Sequence, residues 1–403
     1  MRFSKITAAA AGVVVAGLAL SGCAGGGSEP GGASGDSGPI KVVVLGGIGA
    51  EGVLANNATT SVTAAKASVA AVNAAGGILG RQVEISVIDD TADPTVAVTK
   101  LREMIAGGEK PAVVMNSGPS TVADATIPIL TQNKILSFNI GPTATSGDPS
   151  KNPYNFDLSP SVNDYMGSFA ATLKDRGYEK VAILHGSSAY GEQFGELGAK
   201  TLTSAGFTIT GNEGYDNAAL DMTAQISALK SGNPDVVVLD AYGAPLGYVL
   251  QGFEKLGWDV PIMGNNSVSA TGLIATAPPD GVLGTDQVKN LTMQVFSSTK
   301  YSADDAAVND AVKRMVEAGD IKSSLILAYN YDSMLLIKAA AEKAKSLNAE
   351  SLSTALVDPA VQADAKTVIL SKYNFTTESH TPQAAPDEFL FISPGPLKNG
   401  QFQ

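Results

Sequence analysis

Four short segments hold most of the side chains that could do chemistry. Met115-Asn116-Ser117-Gly118-Pro119-Ser120-Thr121 follows an apolar run and opens a helical pattern. Hydroxyls and backbone N–H groups at a helix start suit a carboxylate. The leading amides have no partner within the helix and carry the positive end of its dipole. Ile140-Gly141-Pro142-Thr143 adds a carbonyl and another hydroxyl. Ser188-Ala189-Tyr190-Gly191 and Asp240-Ala241-Tyr242-Gly243 bring two aromatic rings in equivalent places further along. Two rings facing hydroxyl-lined loops make an apolar slot with a polar anchor. The competing reading is that each tyrosine only packs its own loop.

Other motifs point to chemistry less well. Gly47-Ile-Gly49-Ala-Glu-Gly52 has the spacing of a dinucleotide-binding loop, directly after a strand pattern. No Asp or Glu lies between Glu51 and Glu84, so the acid that would bind the ribose is missing. Ser297-Ser-Thr-Lys300 matches the SxxK of penicillin-recognising serine enzymes, but neither SDN nor KTG occurs. His185 ends a strand pattern and suggests no triad, and His380 reads as a solvated loop residue. Asp89, Asp90 and Asp93 could approach a divalent cation, although carboxylates that end a strand and cap the helix opening at Pro94 explain them more simply.

The elements that position these segments are legible as alternation. Strand patterns run over Ile40–Leu45, Val83–Asp89, Ala112–Met115, Ile135–Asn139, Lys180–His185, Asp235–Asp240 and Val260–Met263. Pro261 cannot donate to a ladder and belongs at a strand start or edge. Helical patterns run over Thr60–Ala75, Pro94–Ala106, Ser120–Gln132, Asn163–Arg176, Glu192–Ser204, Met222–Lys230 and Ala244–Leu256. Continuous runs such as Val42–Leu45 and Val236–Leu239 suit strands covered on both faces, hence parallel sheets between helices. In such sheets the loops named above gather at the carboxyl ends of strands, where ligands bind. Two further helical patterns, Asp304–Ala318 and Ser323–Lys345, precede extended segments at Thr367–Ser371 and Glu388–Ile392.

Composition narrows the function. The formal charge is −12, from 39 acidic and 27 basic side chains, which disfavours nucleic acid as a partner. Two histidines and one cysteine exclude His/Cys zinc sites, Cys-ligated iron–sulfur clusters and intramolecular disulfides, and no cofactor or metal is expected. That cysteine, Cys23, closes Leu20-Ser21-Gly22-Cys23, the lipobox pattern of bacterial lipoproteins. It follows a basic start (Arg2, Lys5) and an apolar run over Ile6–Leu20. Residues 1–22 read as a lipoprotein signal peptide, Cys23 as the lipidation site, and the Gly/Ser-rich 23–38 as a flexible tether. Roughly 365 residues remain, enough for two interwoven lobes.

The chain resembles the branched-chain amino-acid (Leu/Ile/Val) type of ABC-transporter substrate-binding proteins. The resemblance rests on Ile40–Gly46, Asn73-Ala-Ala-Gly-Gly-Ile-Leu-Gly80 and Asp89-Asp90-Thr-Ala-Asp93-Pro94. It continues through Ser120…Pro128, Tyr190-Gly191, the Tyr242 loop and Tyr331-Asp332. It implies the periplasmic-binding-protein type I fold: α/β, two αβα lobes with mainly parallel sheets joined by three crossovers, here near Ser159, Leu283 and Tyr373. Residues 39–158 with 284–372 would form lobe 1, and 159–283 with 373–403 lobe 2. By the same resemblance Ser120 and Thr143, with Thr121 beside them, hold a ligand carboxylate. The Gly141 carbonyl accepts from its ammonium, and Tyr190 and Tyr242 close over it. Where amino-acid-binding members carry a glutamate for the ammonium, this chain has Asn266, which brings no charge; Asp240 or Asp286 could substitute. The expected protein is not an enzyme. It is a lipid-anchored monomer on the outer face of the cytoplasmic membrane, delivering an amino acid, amide, urea-like compound or carboxylate to an ABC permease. The alternatives are a sensing lipoprotein that reports to a receptor, and an exported serine hydrolase.

Overall fold

Strand β1 (Ile40–Leu45) shows how the sequence builds the layers. Val42 and Val44 pack into one apolar cluster and Val43 and Leu45 into another. Side chains alternate across a strand, so an unbroken apolar run buries both faces of the sheet. The computed structural model describes residues 38–384 and 388–403. Cys23, the signal segment and all but the last residue of the tether lie outside the described residues.

In β1 and the strands around it, β2 (Val83–Ile88), β3 (Val113–Asn116), β4 (Leu136–Asn139) and β5 (Asn155–Asp157), every pairing is parallel, in the order β2-β1-β3-β4-β5. The crossovers carry α1 (Gly52–Ala74), α2 (Pro94–Ala106) and α3 (Ser120–Gln132). Asp93 caps α2, its Oδ1 accepting from the amides of Thr95 (2.7 Å) and Val96 (3.0 Å). Asp89 Oδ1 accepts from the Gly49 and Thr91 amides, and Asp90 Oδ1 from Ala92. These carboxylates therefore tie the glycine-rich loop to the β2–α2 turn. Among the described residues no cluster of three or more His, Cys, Asp or Glu could hold a metal ion.

After α4 (Val162–Asp175) the chain builds a second sheet from β6 (Lys180–Gly186), β7 (Thr208–Tyr215), β8 (Val236–Leu239), β9 (Ile262–Gly264), β10 (Leu291–Phe296) and β11 (Phe389–Ile392), in the order β11-β10-β9-β8-β6-β7. Only β11 runs antiparallel. Helices α5 (Ala189–Ser204), α6 (Thr223–Ser231) and α7 (Ala244–Lys255) flank it, and a short α8 (Asn266–Ser269) follows β9. Val236 and Val238 of β8 face one cluster and Val237 and Leu239 the other, so this sheet is also covered on both sides. Gly177 and Gly206 end α4 and α5 with φ of 73° and 98°, the left-handed conformation that closes helices.

The remaining helices are α9 (Ala306–Ala318), α10 (Asn330–Ala344), α11 (Ala349–Leu356) and α12 (Pro359–Ala365). Helices α9, α10 and α11 pack with α1 on the first sheet's cluster. Residues 397–402 form a small antiparallel pair, β12 (Leu397–Lys398) and β13 (Gln401–Phe402).

Several expectations need correction. Leu291–Phe296 pairs with Ile262–Gly264, so the chain leaves the second sheet after Phe296 and not near Leu283. The turns and glycines of 276–285 interrupt the pattern before that strand begins. Strands β5 and β7 were not legible: the first has three residues, and the second alternates weakly through glycines and polar residues. Thr367–Ser371 forms no strand; the amides of Val368, Ile369 and Leu370 instead donate to the Asp332 carboxylate. His380 is buried, not solvated. It stacks on Phe156 with ring centroids 3.9 Å apart, and burial lowers its pKa.

Candidate ligand-binding site

The loops after the strands converge on one cavity of about 470 Å³. The first sheet contributes Gly118–Thr121 from the β3–α3 turn and Ile140–Pro142 after β4, with Val53 and Leu54 from α1. The second contributes Ser188 and Tyr190, Asp240 and Tyr242, and Asn266 and Ser267. Ser159, Tyr215, Ile326, Leu327 and Tyr329 also line the cavity.

Ser120 is the first residue of α3 and is buried. Gly141 presses against that helix start. A β-carbon built on Gly141 would lie 2.8 Å from Ser120 N and 3.1 Å from Pro119 C, so only glycine leaves the helix end open. Facing Ser120 is the start of α5. Ser188 caps that helix by accepting from Gly191 N at 3.0 Å, and the Tyr190 amide donates to Ser120 Oγ at 3.3 Å. Two helix N-termini, one from each sheet, thus meet at one hydroxyl, and their dipoles favour an anion there.

Both tyrosines line the same wall. Tyr190 is buried, and its hydroxyl donates to Asn266 Oδ1 at 3.2 Å. Tyr242 follows β8 of the second sheet yet packs against the first sheet's core, and burial pushes its pKa up to about 12. A hydroxyl cluster closes the inner end: Ser159 Oγ lies 2.8 Å from Tyr165 Oη, which lies 3.2 Å from Tyr329 Oη. Burial holds both phenols above the ordinary range, so they remain neutral donors and acceptors.

Among the described residues, Asp240 is the one charged residue in the lining, and no Lys, Arg or His joins it there. Burial raises its pKa, offset in part by hydrogen bonds from Asn265 and Ser267. Asn265 Nδ2 donates to its Oδ1 at 2.8 Å.

Of the residues singled out from sequence, Ser120, Thr121, Gly141, Tyr190, Tyr242 and Asn266 meet at this cavity. Thr143 does not. It is buried behind the wall, and its Oγ1 accepts from the amides of Thr145 (3.4 Å) and Ser146 (3.2 Å), which closes its own turn. Asp286 lies in a separate surface hollow beside Trp258. His185 packs against Gly195 and Gly214 and is absent from the lining. Ser297–Thr299 forms a 3-10 turn in which Ser298 Oγ donates to Ile369 O, a structural role. Ser159, Tyr215 and Tyr329 were missed. Tyr329 stands two residues before the Tyr331-Asp332 pair that drew notice, but only the packing of α10 shows which tyrosine faces inward.

A family model described as periplasmic binding protein matches residues 39–385. The chain belongs to that family. Its members are solute-binding proteins and not enzymes. The chain is 28% identical over 298 residues to the Leu/Ile/Val-binding protein BraC3 of Rhizobium johnstonii, covering 73% of this chain and 77% of that one. A periplasmic binding protein type 1 from Bordetella pertussis superposes with a TM-score of 0.74 at 19% identity, over 88% of this chain and 96% of that one. A solute-binding protein from R. palustris, solved in complex with 4-hydroxybenzoate, gives 0.66 at 18%, over 79% and 84%. At such identities the solved structures share the fold.

Proposed function

We propose that this periplasmic binding protein is the extracytoplasmic receptor of an ABC importer. It captures a small polar organic ligand between two hinged lobes. The ligand class is a branched-chain or other amino acid, or an amide, urea-like or carboxylate analogue. The meeting of Tyr190 N and Ser120 Oγ carries the reading, because a ligand anchored there touches both sheets at once. A ligand with more contacts in the closed state shifts the population toward it. Ser120, Thr121 and Gly141 form the anchor side, with Tyr190, Tyr242 and Asn266 opposite. The names of its relatives support the ligand range: one is a Leu/Ile/Val-binding protein and another was solved with 4-hydroxybenzoate. Cys23 carries the lipid anchor at the outer face of the cytoplasmic membrane, and the monomer hands its ligand to the permease.

The test is a thermal-shift screen against amino acids, amides and small carboxylates. A ligand at about 100 times its Kd adds about 2.7 kcal/mol of stability, an easily measured shift. A hit whose affinity falls in Ser120→Ala supports the reading. A screen with no hit in any of the three classes overturns it.

A further inference from the structure

The chain passes between the two sheets three times, and each passage sends a buried side chain into one cluster. The first passage runs from β5 to α4 and carries Ser159. The second leaves β10 at Phe296, and the third enters β11 at Phe389. Two phenols stand among them. Tyr165 belongs to α4, whose Met166 and Phe169 pack on the second sheet, whereas Tyr329 directly precedes α10 on the first sheet's cluster. The Tyr165 ring lies 5.2 Å from that of Phe389, and the Tyr329 ring meets Phe296 edge-on at 5.5 Å. The three hydroxyls close a triangle. Ser159 Oγ lies 2.8 Å from Tyr165 Oη, Tyr165 Oη lies 3.2 Å from Tyr329 Oη, and Tyr329 Oη donates to Ser159 Oγ at 3.4 Å. Ser159 and Tyr329 also line the cavity. Burial raises the Tyr329 pKa, while hydrogen bonding to Ser159, Tyr165 and Asn266 lowers it, so its hydroxyl reaches the second sheet's wall as well.

From this arrangement we infer that the Ser159, Tyr165 and Tyr329 hydroxyls form a clasp on the hinge, with Tyr329 as the positioning residue that couples the lobe angle to the cavity. The inference rests on the hinged two-lobe reading proposed above and adds the residues that hold the angle. A rotation about the three passages moves α4 relative to α10. It stretches the bond between Tyr165 and Tyr329, and a stretched bond in a buried surround leaves polar groups without a partner. The triad therefore favours the angle at which all three bonds are made. Phenylalanine at 165 or 329 keeps the aromatic packing and removes that preference.

The experiment is small-angle X-ray scattering on the intact, ligand-free protein, comparing Tyr329→Phe, Tyr165→Phe and the double variant with wild type. The ratio of open to closed lobes should rise roughly fivefold in each single variant, the factor that one net hydrogen bond carries, and the radius of gyration should grow with it. Exchange of the Tyr190 amide, which is bonded to Ser120 Oγ across the cavity, should quicken by a similar factor. The double variant should fall short of the product of the two single effects, because the singles share the bond between the phenols. Folded single variants that both scatter as wild type overturn the inference. A lowered melting temperature at unchanged radius does so too, since it marks a purely structural role. A double variant that reaches the full product also overturns it. No readout here needs a ligand, so an empty ligand screen removes the transport reading without deciding this one, and failure of the clasp leaves the screen untouched.

Discussion

The Tyr190 amide donates to Ser120 Oγ at 3.3 Å, joining residues 70 positions apart on helices that serve different sheets. One hydroxyl therefore belongs to both halves of the cavity. Removing it in Ser120→Ala should cost twice. Ligand affinity should fall roughly tenfold to a hundredfold, as when a hydrogen bond to a charged group is lost. The ligand-free protein should lose about 1 kcal/mol as the bond across the cavity disappears. Calorimetry with the best screen hit reads the first effect and denaturant unfolding the second.

Thr143→Ala should separate from Ser120→Ala. The Thr143 hydroxyl accepts from two amides of its own turn and lies outside the cavity wall. Stability should drop by about 1–2 kcal/mol while ligand affinity stays within about twofold of wild type. Thr143→Ser should recover most of the stability. A large affinity loss in Thr143→Ala at unchanged stability would return that hydroxyl to the ligand.

Gly141→Ala tests the open helix end. The added methyl would stand 2.8 Å from Ser120 N, where an anion would approach α3. Affinity should fall by at least about tenfold, with a smaller loss of stability from local crowding. Isothermal titration beside a melting curve distinguishes the two.

Acidity should reveal the buried Asp157. Its Oδ1 accepts from Asn139 at 3.0 Å, its Oδ2 from Ser146 at 2.8 Å and from Thr381 at 2.9 Å, yet burial pushes its pKa up to about 6. The raised value means that the folded chain holds the proton more tightly than the unfolded one. From pH 6 down to about 4 this group therefore adds stability, by an amount of order 3 kcal/mol, and above pH 6 its contribution is flat. Asp157→Asn should remove that slope. The check is the difference between the wild-type and variant pH–Tm curves from pH 7.5 to 4.5, which cancels the other carboxylates. Parallel curves would sink the assignment.

The sequence by itself determined the alternation of strands and crossover helices, because side-chain periodicity and glycine stops are local and survive in a linear reading. The same locality made the site's loops legible: a hydroxyl-bearing turn after a buried strand falls at the carboxyl end of a parallel sheet whatever the rest does. Ser120, Tyr190 and Tyr242 were found in this way, and Asn266 through the family resemblance. Tertiary structure decided what depends on distant partners. Thr121 lines the cavity and Thr143 turns away, although both follow apolar strands. Tyr329 faces inward while Tyr331 two residues on does not line the cavity, since the placement of α10 against α1 sets that rotation. Leu291–Phe296 joined the second sheet because its ladder partner, Ile262–Gly264, lies about thirty residues away, beyond any local pattern. The hydroxyl triad of Ser159, Tyr165 and Tyr329 was also hidden. A side chain's identity gives its donors and acceptors, but only the fold shows which of them meet.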